Sequence, residues 1–261
     1  MSLSPDLAAA VADFAALDRV LVATDFDGVL APLVLDPMDS RPVDGGMPAL
    51  TSLAQLPGTT VALVSGRALE PLRQLSGAQE PLVLVGSHGA EDSRHAGGLA
   101  LDEHQRGLLA TLDDELAALR EQHPGIRVET KPAARVVHTR GLAEPEAQAA
   151  LASARGLGQR HTGVEVTPGK GVAELAVAHV GKGVALVDLA GEVGADAVFY
   201  AGDDLTDEHG FAALADDPDA ARAARALTVR VGDGETRARF RVADEDAVVE
   251  LLKALLAARR A

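Results

Sequence analysis

Residues 20–27 (VLVATDFD), 60–67 (TVALVSGR), 82–89 (LVLVGSHG), 197–204 (AVFYAGDD) and 226–233 (ALTVRVGD) each open with an aliphatic or β-branched run. The runs are continuous rather than alternating, which predicts strands covered on both faces, as in a parallel sheet. Between and around them, residues 3–17, 46–56, 68–77, 182–193, 206–215 and 244–259 carry apolar positions at helical spacing. Strands alternating with helices predict βα units and a mostly parallel, Rossmann-like α/β core. Four of the runs end in polar, glycine-bearing sequence: DFDG, SGR, GSHG and GDD. In open parallel sheets, ligands bind outside the carboxyl ends of the strands.

The middle of the chain has a different rhythm. Residues 102–122 (DEHQRGLLATLDDELAALREQ) predict a long amphipathic helix, and residues 144–157 a second one. The segments 126–131 (IRVETK) and 134–140 (ARVVHTR) tend to alternate apolar with polar positions around the turn at Pro132-Ala133. Residues 163–177 (GVEVTPGKGVAELAV) predict two more strands around a Pro-Gly turn. This order predicts a four-stranded antiparallel sheet with helices on one face. It is expected at 104–180 as an α/β unit inserted into a core made of 1–103 and 181–261. Charge marks the same division: residues 107–181 hold eight Lys or Arg against nine Asp or Glu, a net of −1, which leaves −14 of the total −15 to the flanks.

Composition narrows the class further. With 47% hydrophobic and 24% charged residues, the chain reads as soluble and globular. Aromatic residues are only 2% and Trp is absent, so Ala, Val and Leu must build the core. No apolar run approaches the roughly 20 residues of a membrane span. The first residues include Asp6, Asp13 and Asp18 without a basic start, unlike a secretory signal. A cytoplasmic protein with no membrane partner is therefore expected. Zero cysteines exclude disulfides, thiolate nucleophiles and Cys-ligated zinc. The charge of −15 argues against a nucleic-acid partner, which would need a basic surface. No feature of the sequence sets an oligomeric state.

The candidate chemistry lies at the strand ends. Asp25 and Asp27, two positions apart, point the same way while a strand persists. Two carboxylates sharing a site repel unless a cation neutralises them or one holds a proton. An isolated D-x-D-G is equally a turn, and position alone leaves both readings open. Ser65 and Arg67 of SGR suit a phosphate or sugar group, although Ser65 also suits a helix cap. Lys182 stands between two glycines where a helix begins, outside any G-x-x-x-x-G-K-[ST] loop. GDDLTDE, residues 202–208, carries Asp203, Asp204, Asp207 and Glu208 directly after an apolar strand. Such hard oxygen donors suit Mg²⁺, which takes one or two carboxylates plus a substrate phosphate. The alternative is an acidic helix N-terminus, favoured by the dipole.

In order, D-x-D-G, S-G-R, a Lys between glycines and G-D-D-x-x-D resemble the motifs of the haloacid dehalogenase-like phosphatase superfamily, with 104–180 matching the inserted α/β cap. The resemblance implies that Asp25 is the nucleophile and forms an aspartyl phosphate, and that Asp27 is the general acid and base. It implies that Asp25, the backbone carbonyl of Asp27 and Asp203 hold Mg²⁺, that Lys182 and Ser65 hold the phosphoryl charge, and that Asp204 and Asp207 stand behind them. Val29 occupies a position where Thr is frequent.

Within that superfamily the chain resembles the trehalose-6-phosphate phosphatase family, through DFDGVLAPLVLDPMDSRP, VGSHGAE, GDDLTDE, VETKPAARVVHTR and GKGVAELAVAHVGKGVAL. The resemblance implies a sugar-phosphate substrate contacted by Arg67, His88, Glu129, Lys131, His138, Arg140 and Glu174. A solvated outer face with cross-strand pairs such as Glu129 with Arg140 is the plainer account of the cap residues. Thr139 replaces a common aromatic, and an Arg-Pro usual after the Glu-Leu is missing. Phosphatases of sucrose phosphate or mannosyl-phosphoglycerate type are the nearest alternatives. An idle sugar-phosphate sensor would not need Asp27 beside Asp25, and no EF-hand loop is present for a calcium module.

Overall fold

A computed structural model of the protein describes residues 3–95, 101–169, 171–178 and 180–261. The chain forms two compact units, Met1–Ala96 with Gly181–Ala261, and Gly97–Val180. The first contains α1 (Pro5–Ala15), β1 (Val20–Thr24), α2 (Gly46–Ala54), β2 (Thr59–Val64), α3 (Leu69–Ser76), β3 (Val83–Gly86) and β4 (Glu91–Asp92). The second is built from α4 (Glu103–Gln122), β5 (Arg127–Lys131), β6 (Ala134–His138), α5 (Glu144–Gln159), β7 (Glu165–Gly169) and β8 (Val172–Ala176). The chain then returns to the first with α6 (Lys182–Val193), β9 (Ala197–Gly202), α7 (Leu205–Ala215), α8 (Ala220–Arg225), β10 (Leu227–Val231), β11 (Phe240–Val242) and α9 (Glu245–Arg259).

The core sheet runs β11-β10-β9-β1-β2-β3-β4 and is parallel except for the short β4. Val22 of β1 faces Val61 on one side and Phe199 on the other, so β1 lies where the strand order reverses. That crevice is the ligand position of an open α/β sheet. Every residue of β1 and β9 is buried. Val20, Val22, Phe199 and Ala201 pack with Leu7, Phe14, Leu50 and Leu252 on one face. Leu21, Ala23, Val198 and Tyr200 pack with Leu186, Leu189, Phe211 and Leu214 on the other. Burial on both faces is why these strands carry no polar alternation.

Several boundaries are tighter than the apolar pattern predicts. β1 ends at Thr24; the Asp25 amide still donates to the Ala201 carbonyl at 2.9 Å, and Asp27 lies in a turn where the Phe26 carbonyl accepts hydrogen bonds from the Leu30 and Ala31 amides, both at 2.9 Å. The strand on which the two carboxylates were expected to point the same way therefore stops before Asp27. α8, β4 and β11 are too short for periodicity to reveal. α8 is stabilised by its Asp219 N-cap and by a buried ion pair between Arg222 and Asp217 at 2.6 Å.

In the second unit the antiparallel sheet has the order β5-β6-β8-β7. Val137, Ala173 and Leu175 pack on Leu112 and Leu116 of α4 and Leu151 and Ala154 of α5. The opposite register positions, including Glu129, Lys131, His138 and Glu174, therefore share the face away from the helices. α4 opens with a capping box in which Asp102 accepts from the Gln105 amide and Gln105 accepts from the Asp102 amide. Among the described residues, no helix is long and apolar enough to cross a membrane.

Candidate active site

The carboxyl ends of the core strands form one cleft of about 420 Å³. Asp25, Asp27, Ser65, Arg67, His88, Lys182, Asp203 and Asp204 line it, together with Gly66, Leu33, Val34 and Pro37. Each carboxylate of D-x-D-G has its own cation. Asp25 Oδ2 accepts from Lys182 Nζ at 2.7 Å, and its Oδ1 accepts from the Phe26 amide at 2.6 Å. Asp27 accepts two bonds from Arg67, both 2.6 Å, and a third from Ser40 Oγ at 3.1 Å. Phe26, between the acids, is fully buried in the core, and the Arg67 guanidinium lies 5.8 Å from its ring centroid. The apolar middle residue thus anchors the turn while its neighbours meet different partners.

Lys182 is the first residue of α6, a position where the helix dipole disfavours a cation. It stays there because its ammonium, only 1% exposed, also donates to Asp207 Oδ1 at 2.8 Å. Gly183 makes this approach possible. A Cβ at that position would come within 2.7 Å of Ala213 Cβ and 2.9 Å of the His209 carbonyl oxygen on α7. The close packing of α6 on α7 therefore sets Lys182 beside the acidic motif. Removing one partner of such a buried pair typically costs about 3–5 kcal/mol.

Asp207 is saturated. Its Oδ1 accepts from Lys182 and from Tyr200 Oη at 2.5 Å, and its Oδ2 from the amides of Asp203 at 2.8 Å and Asp204 at 3.1 Å. Asp204 is the N-cap of α7 and completes a capping box with Asp207. The helix-start and metal readings of GDDLTDE thus fall to different residues. Among the described residues, no hydrogen-bond donor reaches the Asp203 carboxylate, which packs against Gly28. Gly28 has φ +70°, and a Cβ there would lie 2.2 Å from Asp203 Oδ2.

Burial pushes the Asp203 carboxyl up to about 6, reinforced by the negative charges of Asp207 and Asp204. Burial also holds Asp25 well above the usual carboxylate range, and Asp207 adds to this while Lys182 opposes it. Oxygens of Asp25, Asp203 and Asp207 lie within 4.8 Å of one another. This concentration of hard oxygen donors, held with more negative than positive charge, fits a divalent cation such as Mg²⁺. Asp25 and Asp203 are the ligand candidates. Asp207 already accepts four donors on its two oxygens.

Ser65, 1% exposed, directly follows β2 and accepts the Arg67 amide through Oγ at 3.2 Å. It does not cap α3, whose N-cap is Ala68 without a side-chain bond. The His88 amide donates to the Ser65 carbonyl at 2.9 Å, and the His88 ring lies so close to Gly66 that a Cβ there would sit 2.5 Å from Cε1. Its left-handed backbone, φ 56°, directs it to the cleft wall.

In the second unit, Lys131 Nζ donates to Glu174 Oε2 at 2.9 Å, and Glu129 Oε2 lies 2.7 Å from His138 Nε2. That contact holds the Glu129 carboxyl below its usual range. Glu129 pairs with His138, two positions before Arg140, which is exposed in the turn beyond β6. Sequence reasoning missed Ser40, Tyr200 and Arg230. Arg230 donates to the Asp204 carbonyl at 3.1 Å and faces Glu208 at 3.5 Å. Tyr200 had a visible signal: a hydroxyl in an otherwise apolar strand just before G-D-D.

Residues 23–246 match the family model described as trehalose-phosphatase. The chain is 34% identical over 251 residues to a bifunctional trehalose-6-phosphate synthase/phosphatase of Thermoproteus tenax, covering 93% of this chain and 33% of that protein. It is 30% identical over 236 residues to a trehalose-6-phosphate phosphatase-related protein of Thermoplasma acidophilum, covering 89% of this chain and 95% of that one. The solved trehalose-6-phosphate phosphatase of Aspergillus fumigatus superposes with a TM-score of 0.80 at 25% identity, over 98% of each chain. With a family match running from the last residues of β1 into α9, this chain belongs to the trehalose-phosphatase family of the haloacid dehalogenase-like superfamily.

Proposed function

We infer that the protein is a Mg²⁺-dependent phosphatase that hydrolyses trehalose 6-phosphate to trehalose and phosphate. The observation that carries this reading is the buried Asp25–Lys182–Asp207 chain beside the donor-free Asp203 carboxylate at the strand-order reversal. Asp25 attacks phosphorus, and the bond from phosphorus to the sugar oxygen breaks as the bond to Asp25 forms. Asp27 gives a proton to the leaving oxygen, for which one of its two Arg67 bonds must open. In the second half, water attacks the aspartyl phosphate, its proton passes to Asp27, and phosphate leaves Asp25. Lys182 and the Ser65 hydroxyl hold phosphoryl oxygens throughout. Asp25, Asp203 and the Asp27 backbone carbonyl are the groups that would hold Mg²⁺, and the ion supplies positive charge against the phosphate.

The 97–180 unit serves as a cap in this reading. Its helix-free sheet face offers Glu129, Lys131, His138 and Glu174 to sugar hydroxyls, with Arg140 at the strand end. Arg67 and His88 border the substrate from the core. The similarity to trehalose-6-phosphate phosphatases supports the choice of sugar. The test is phosphate release by purified protein from a panel of sugar phosphates, with Mg²⁺ and with excess chelator. Preference for trehalose 6-phosphate, lost in chelator and in Asp25→Asn, is the expected result. Equal or better turnover of another sugar phosphate would reject the substrate, and full activity in chelator would reject the metal.

A further inference from the structure

Tyr200 is the only tyrosine of the chain, and it is fully buried. It stands in β9 between Phe199 and Ala201, in a strand enclosed by apolar side chains on both faces. Its ring packs against Phe211 with centroids 5.6 Å apart. Phenylalanine would satisfy that packing, and a buried hydroxyl is costly unless it is bonded. Among the described residues the hydroxyl has one partner, Asp207 Oδ1, at 2.5 Å. The same oxygen accepts Lys182 Nζ at 2.8 Å, and that ammonium reaches Asp25 at 2.7 Å. The phenol, carboxylate, ammonium and nucleophile thus form one continuous buried chain.

We propose that Tyr200 is a positioning residue of the phosphoryl-transfer site, whose hydroxyl, acting through Asp207, fixes the Lys182 ammonium against Asp25. The role rests on the phosphatase reading above. Asp207 Oδ2 is already committed to the Asp203 and Asp204 amides, so the orientation of Oδ1 is shared between Tyr200 and Lys182 alone. Without the hydroxyl, the Asp207–Lys182 pair loses the constraint opposite the ammonium, while the ring keeps the core filled.

Two arms test this. The chain has one tyrosine and no tryptophan, so its phenolic absorption band belongs to Tyr200. Asp207→Asn should move that band to the blue by weakening the acceptor. Lys182→Met, which removes the competing donor, should move it to the red, so either folded variant suffices. An unmoved band would overturn the proposed chain. In the kinetic arm, Tyr200→Phe should lower kcat about tenfold for both trehalose 6-phosphate and an aryl phosphate, with KM changed less than about twofold. A merely structural tyrosine would instead lower the melting temperature and leave kcat of the folded fraction within about twofold of the parent, which would overturn the role. Wild-type protein without any turnover would overturn the functional reading and this role together. An active wild type with an unaffected Tyr200→Phe would overturn only the role.

Discussion

Gly28→Ala separates the position of Asp203 from the stability of the fold. The new Cβ would lie 2.2 Å from Asp203 Oδ2, 2.4 Å from its Cγ and 2.8 Å from its Oδ1. Ordinary contact distance requires the carboxylate to retreat by roughly 1 Å, and a misplacement of that size can cost about a hundredfold in rate. The backbone term is smaller. A left-handed φ costs a non-glycine residue about 1–2 kcal/mol, and alanine recovers about 0.4–1 kcal/mol through the unfolded chain. The net destabilisation is then at most about 1.6 kcal/mol, roughly 6 °C or less in melting temperature for a protein of this size. Gly77→Ala is the control, because Gly77 has φ +64° and a Cβ there meets nothing within 4 Å. Melting curves in chelator and turnover across a Mg²⁺ titration should show similar stability losses for both variants. Only Gly28→Ala should lose activity or need about tenfold more Mg²⁺. Gly28→Ala with parental turnover and parental Mg²⁺ half-saturation would refute the argument that Asp203 must stand where it does.

Asp203 also carries a pH signature. Its folded-state pKa of about 6 lies above the ordinary 3.8, so it favours the fold when protonated, and that contribution fades as pH rises from about 4 through 6. In chelator, Asp203→Asn should therefore melt higher than the parent at pH 7.5, with the gap shrinking toward pH 4. A gap independent of pH would contradict the raised pKa. In the second unit, Glu174→Ala and Lys131→Ala each break one partly exposed ion pair of 2.9 Å, so stability should hold within about 1 kcal/mol. If they contact the sugar, kcat/KM for trehalose 6-phosphate should fall about tenfold to a hundredfold and that for a small aryl phosphate should not. Equal losses on both substrates would assign the pair a structural role.

The parallel sheet was legible in the sequence, because a strand enclosed on both faces is apolar at nearly every position, as VLVAT, with Thr24 at its end, and AVFYA are. The sequence also determined the antiparallel sheet of the second unit, through alternation in RVETK and its partners, and the placing of acidic and glycine-rich segments at strand ends. These features are local: period, turn chemistry and strand length are written within a few residues of one another. Pairing across the fold was not legible. Nothing in DFDG says that Asp25 meets Lys182, 157 residues away, while Asp27 meets Arg67, 40 residues away. In GDDLTDE the family resemblance set Asp203 apart from Asp207, but the residues alone did not: among the described residues Asp207 takes the Asp203 and Asp204 amides, the Tyr200 hydroxyl and, through the close packing of α6 on α7 at Gly183, the Lys182 ammonium. The sequence supplies the charges, but their energies depend on burial and on distance. Which carboxylate meets the buried ammonium, and which meets no donor among the described residues, follows from contacts between segments far apart in the chain.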